Sequence, residues 1–188
     1  IIMVVGAGSA LNVSLKTMVN PGDEVLTFAP YFVEYGNYVA NYDGKLVVVP
    51  PNEEDFMPDV EKMKELITSK TKAVIINNPH NPTGVIYGED IIKSIATALE
   101  EKQRELKSVI YLIVDEPYRE LVYVDKPVPY VTKYYDNTIV AYSYSKSLSL
   151  PGERIGYIVI PDESDESDEF IAAATIANRV SGCVNAPS

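Results

Sequence analysis

Ala73-Val74-Ile75-Ile76-Asn77-Asn78-Pro79-His80-Asn81-Pro82-Thr83-Gly84 is the stretch on which the fold turns. Its first part is an unbroken apolar run that stops at two asparagines. A strand without polar alternation is covered on both faces, which puts it inside a sheet flanked by helices. The eight residues from Asn77 to Gly84 then hold two prolines and a glycine, and that density fixes a rigid loop where the strand ends. Within the loop, Asn81 is flanked so that its amide is held in one orientation; a turn with a capping asparagine is the plainer reading. His80 reads as a surface bystander or as support behind Asn81.

Short apolar runs recur on either side: Ile2–Val5, Glu24–Phe28, Lys45–Val49, Ile110–Val114, Thr138–Tyr142 and Ile155–Ile160. Amphipathic stretches at Ala10–Val19, Phe32–Ala40, Asp59–Ile67, Glu89–Lys107 and Glu163–Val180 separate them. Asn20-Pro21-Gly22-Asp23 is a stop-and-turn signal after the first of these. The βα alternation predicts an α/β fold, three layers deep, around a mostly parallel seven-stranded sheet. The acidic run Asp162–Glu169 reads as a solvated loop entering the last helix, whose positive end favours carboxylates.

Composition narrows the function. The 188 residues suit one domain with a substantial core. A formal net charge of −11 argues against nucleic acid as the main partner, although a local phosphate site built from backbone amides and one or two cations remains open. The single cysteine, Cys183, excludes an internal disulfide and fits a reducing, cytoplasmic setting. The single histidine, His80, excludes a His-rich metal site and makes a His-dependent triad a poor fit. No apolar run is long enough to span a bilayer. The chain opens on a strand already under way and stops just beyond a helical pattern. The expectation is one domain, residues 1–188, belonging to a longer chain.

Ligands in open α/β sheets gather at the carboxyl ends of strands, so the residues after each strand carry the functional signal. Gly6-Ala7-Gly8 opens the first helix, where glycines permit close approach and free amides attract phosphate. Plain βα packing explains the glycines equally well. A dinucleotide-binding turn does not, because position 11 is Leu where G-x-G-x-x-G needs a glycine. Phe32 in Ala29-Pro30-Tyr31-Phe32 could stack on a flat ring or staple a helix to the core. Asp115 ends an apolar strand, where a carboxylate is costly to bury without a cationic partner, which a ligand could supply. Tyr118, three residues on, faces the same side if a helical turn begins there, leaving Glu116 to solvent or an ion pair. Lys146 in Ser143-Tyr144-Ser145-Lys146 follows another strand beside hydroxyls, as a nucleophilic amine would, or is a plain surface charge; Tyr144 packs inward. Arg154, in a Gly-containing turn, could clamp phosphate or pair with an acid.

Together and in order, N-P-x-N-P-T-G at 78–84, D-x-x-Y at 115–118, and S-x-S-K at 143–146 with an arginine eight residues later resemble the class I/II aminotransferases. These are fold-type I enzymes dependent on pyridoxal 5'-phosphate (PLP). The resemblance spans at least Gly6 to Arg154 and implies the large, PLP-binding domain. It implies that Lys146 carries the cofactor through its amine and later shuttles a proton. Asp115 would pair with the pyridine nitrogen, and Tyr118 and Asn81 would meet the ring's 3'-oxygen. Phe32 would stack on the ring, while Ala7, Gly8, Ser143, Ser145 and Arg154 would surround the phosphate. The implied partners are an amino acid and a 2-oxo acid, with a homodimer in the full-length protein and neither nucleic acid nor membrane. The family's carboxylate-gripping arginine and the N-terminal segment that completes its active site find no match in these residues. A PLP-dependent carbon–sulfur lyase of the same fold uses the same lysine and aspartate. From other classes, a nucleotide-binding oxidoreductase leaves Lys146 and the 78–84 loop unexplained, and a non-catalytic binding protein leaves Lys146 without a task.

Overall fold

The structure, a computed structural model, describes residues 1–181; Cys183 lies outside them. Seven strands form one sheet: β1 (Ile2–Val4), β2 (Glu24–Phe28), β3 (Lys45–Val49), β4 (Thr71–Asn77), β5 (Tyr111–Asp115), β6 (Thr138–Ser143) and β7 (Gly156–Val159). Six helices connect or follow them: α1 (Gly6–Met18), α2 (Glu34–Ala40), α3 (Val60–Leu66), α4 (Glu89–Leu106), the single turn α5 (Tyr144–Ser147) and α6 (Ser167–Ser181). The sheet order is β1-β7-β6-β5-β4-β2-β3, parallel from β3 through β6, with β7 antiparallel to both its neighbours.

Alternate residues of the central strands feed two separate cores, as the period of a strand requires. Ala73, Ile75 and Ile113 pack with α1, α6 and the buried side of α2. Val74, Ile76, Leu112 and Val114 pack with α3 and α4 on the other face. Both faces are therefore apolar, and the uninterrupted runs in the sequence have this cause. The expected three-layer α/β/α architecture is present.

Element ends moved where turn chemistry intervened. Helix α1 begins at Gly6 rather than Ala10, taking both glycines into its first turn. Helix α6 begins at Ser167 rather than Glu163. Ser164 is instead buried, with its hydroxyl donating to Asn137 Oδ1, and Glu166 turns with φ +55°, so these residues form a tethered turn. Asp115 is the last residue of β5, paired with Ala141 of β6.

The reversal of β7 brings the site together. Because β7 runs against β1 and β6, its first residue lies beside the last residues of both: Gly156 faces Val4 and Ser143. Arg154, just before β7, therefore reaches the start of α1. Close approach requires glycine at this junction. A Cβ on Gly156 would stand 2.3 Å from the Tyr142 carbonyl, and Gly6, at φ +77°, has the Arg154 guanidinium 3.0 Å from the position of its missing Cβ.

Candidate active site

One open cavity of about 300 Å³ lies where β5 and β6 end and α1 begins. Ala7, Gly8, Phe32 and Asn81 form one part of its lining, and Asp115, Tyr118, Ser143, Ser145, Lys146 and Arg154 another. Residues from six separate segments, all singled out in the sequence, thus line a single space. Leu11, Tyr38, Pro117 and Pro151 line it as well, and sequence reasoning did not find them.

Asp115 is the most constrained group. It is buried at 6% exposure, and its Oδ2 accepts a 2.7 Å hydrogen bond from the Tyr35 hydroxyl. Its Oδ1 is buried with no hydrogen-bond partner among the described residues. Burial pushes the carboxyl up to about 6; the Tyr35 bond opposes this and the neighbouring Glu116 adds to it. No cation among the described residues answers this acid. Its partner is a neutral phenol, held protonated by its own burial and by the adjacent carboxylate. Tyr35 carried no sequence signal beyond its place in a buried stretch, since it lies 80 residues from Asp115.

Burial therefore sets the charge preference of Asp115, and the Tyr35 bond moderates it. A folded-state pKa above the ordinary carboxylate range means that the folded protein prefers the protonated acid. That preference adds stability below about pH 4, and the stability is lost as pH climbs through about 6. The difference amounts to roughly 3 kcal/mol at neutral pH. Tyr35→Phe removes the one donor that eases the charged form, so cofactor-free protein should lose stability up to a higher pH than wild type. At pH 8 it should be weaker by about 1–3 kcal/mol. Thermal melts between pH 4 and 9 check this, and superimposable profiles would refute it.

The loop after β4 is built on main-chain anchors. Asn77 Nδ2 donates to the Asp115 carbonyl at 2.7 Å, while its Oδ1 accepts from the Asn81 amide. Asn78 exchanges hydrogen bonds of 3.1 and 3.0 Å with the Tyr87 backbone. These contacts fix Asn81 at the cavity wall with its side chain left for the cavity. His80 is not on the surface. It is buried at 6% exposure, its Nδ1 lies 2.7 Å from the Thr83 hydroxyl and its ring is tilted against Tyr87, so it supports the loop from behind. Burial lowers its pKa.

Glu116 does not reach solvent. It is buried at 4% exposure in a two-pronged ion pair with Arg119, both contacts 2.7 Å. Arg119 also donates to the Val128 and Pro129 carbonyls and stacks 4.1 Å from the Tyr130 ring centroid. The pair clamps the following loop and leaves Tyr118 turned to the cavity, its ring 5.9 Å from Lys146 Nζ.

The end of the cavity near α1 gathers positive potential. No side chain caps the N-terminus of α1 and no acid stands in its first turn, so its amides stay free for an anion. Arg154 takes a left-handed backbone, φ +53° and ψ +48°, that turns its guanidinium against Gly6. A non-glycine residue held there is strained, as residues at functional sites often are. The Ser143 hydroxyl lies 2.7 Å from that of Ser145 and accepts from the Ser145 amide. Tyr144, between them, is half-buried edge-on to Tyr142 and Tyr157. Lys146 follows in α5, exposed and in no ion pair among the described residues. A buried acid, an exposed amine and an anion-attracting helix end thus face one cavity.

Comparison with known proteins agrees with this arrangement. The family model described as aminotransferase class I and II matches residues 1–187. A probable aspartate aminotransferase of Methanocaldococcus jannaschii is 36% identical over 91% of this chain and 44% of its own length. The crystal structure of an aminotransferase from Eubacterium rectale superposes with a TM-score of 0.95 at 48% identity, covering 98% of this chain and 47% of that one. That of an aspartate aminotransferase from Thermotoga maritima gives 0.85 at 31% identity, covering 97% and 47%. The chain spans a little under half the length of these relatives. No helix among the described residues is long and apolar enough to cross a membrane. With the ordered motifs lining one cavity and the family model matched along nearly the whole sequence, this chain belongs to the class I and II aminotransferases.

Proposed function

We propose that residues 1–188 form the cofactor-binding domain of an aminotransferase that uses pyridoxal 5'-phosphate to move an amino group between an amino acid and a 2-oxo acid. The observation that carries this reading is the unpartnered Oδ1 of Asp115, buried in the wall of a cavity that also holds Lys146 and Arg154. A buried carboxylate lacking a partner is complementary to a protonated ring nitrogen, and the helix end beside Arg154 and two serines is complementary to a phosphate. The donor set therefore fits the cofactor at both its ends. When bound, PLP supplies an aldehyde that captures amines and a ring that withdraws electrons from the captured carbon.

The chain's own groups divide the remaining work. Asp115 would hold the ring nitrogen protonated, with Tyr35 fixing the orientation of its carboxylate. Arg154, Ser143, Ser145 and the amides of Ala7 and Gly8 would bind the phosphate. The Asn81 amide and Tyr118 hydroxyl would meet the ring oxygen, and Phe32 would cover a ring face. Lys146 would be the amine that holds the cofactor's aldehyde, and its freed amine would move a proton at the substrate carbon. The reading extends to a homodimer in the full-length protein, which light scattering checks.

Borohydride reduction of the PLP-loaded full-length protein tests the assignment. Peptide mapping is expected to find the pyridoxyl group on Lys146. Recovery on Lys16 or Lys133 instead would move the site elsewhere.

A further inference from the structure

Helix α2 carries one cavity-lining residue for which the roles above leave no task. Tyr38 lines the same space as Lys146 and Arg154, and its hydroxyl stands 3.0 Å from the point where a Cβ on Gly8 would sit. It therefore lies against the first turn of α1, whose amides have no cap. No hydrogen bond joins this hydroxyl to another described residue. We propose that the Tyr38 hydroxyl is a further ligand of the cofactor's phosphate, donating from the α2 side of the cavity.

The assignment rests on the PLP reading of the cavity and adds a residue to it. Three features support it. First, the hydroxyl stands where the other anion donors converge: the free amides of α1 and the Arg154 guanidinium on Gly6. Second, burial and the carboxylates of Glu34 and Asp115 hold the phenol protonated, with Arg154 opposing, so near neutrality it is available as a donor. Third, Gly8 leaves the room the hydroxyl occupies, since any side chain there would meet it at 3.0 Å. A tyrosine serving only as a wall would need no hydroxyl at this point.

The test uses Tyr38→Phe in the full-length protein, stripped of cofactor and titrated separately with PLP and with pyridoxal, which lacks the phosphate. A charge-assisted hydrogen bond from a neutral donor predicts that the PLP dissociation constant rises about tenfold. The pyridoxal constant should stay at the wild-type value. Unchanged PLP affinity overturns the proposal. An equal loss for both ligands also overturns it, because it assigns the residue a packing role. A wild-type protein that binds PLP no better than pyridoxal overturns the phosphate site itself, an outcome distinct from a failure confined to Tyr38.

Discussion

Changing Asp115 to asparagine should cut turnover of the full-length enzyme by several powers of ten while making its cofactor-free form more stable above pH 6. The two effects share one cause. The carboxyl is buried, has one oxygen without a partner among the described residues and is pushed up to about 6, so holding it charged in the cofactor-free protein costs roughly 3 kcal/mol at neutral pH. Asparagine keeps the shape and still accepts from Tyr35, but has no charge to bury. The gain, at about 2–4 °C per kcal/mol for a domain of this size, should raise the melting temperature by several degrees at pH 7.5. Below about pH 4, where the wild-type acid is protonated as well, the two proteins should melt together. Catalysis moves the other way. An amide cannot stabilise a protonated ring nitrogen, and a hydrogen bond to a charged group is worth about 1.5–3 kcal/mol, with more lost when the buried charge has no partner. At about 1.4 kcal/mol per tenfold, the deficit reaches two to four powers of ten. Single-turnover kinetics on PLP-saturated protein, with melts of the stripped protein across pH, measure both. Near-wild-type rates would remove Asp115 from the chemistry, and unchanged melts would mean that its burial carries no cost.

Lys146→Ala should abolish turnover by roughly 10⁴-fold or more without touching the fold. Removing a positioned proton carrier alone accounts for about 10²–10⁴, and the covalent anchor is lost with it. Lys146 is exposed and makes no ion pair among the described residues, so stability should move by no more than about 0.5 kcal/mol. Lys146→Arg separates chemistry from charge. It keeps the cation beside Tyr118, but a guanidinium does not deprotonate near neutral pH and cannot serve as the amine. Both variants should therefore be equally inactive and bind PLP reversibly, with no borohydride-stable label. Substantial activity in the arginine variant would mean that the site needs only positive charge at this position.

Much of this molecule was legible in its residues. The uninterrupted apolar runs marked strands covered on both faces, because burial on two sides removes the need for alternation. Every residue that the resemblance assigned to the cofactor lines one cavity, because in α/β sheets the loops at the carboxyl ends are where the backbone opens to solvent. Two residues were left with alternatives that the structure decided. His80 was open between surface and support, and Glu116 between solvent and an ion pair; each is buried because a specific partner, Thr83 or Arg119, satisfies it. Those partners are three residues away in each case, but nothing in the spacing says that the pair faces inward.

The sequence by itself determined the strands, the rigid loop at Asn77–Gly84 and the chemical types gathered at the strand ends. Those are local matters, set by side-chain period and by the dihedral limits of proline and glycine. Only the tertiary structure decided that β7 runs backwards, bringing Arg154 to Gly6, that Tyr35 answers Asp115, and that Tyr38 stands over Gly8. Backbone hydrogen bonds are the same for every residue type, so pairing order leaves little mark on the sequence. The contacts that follow from it join residues 30 to 150 positions apart, where no local pattern reaches.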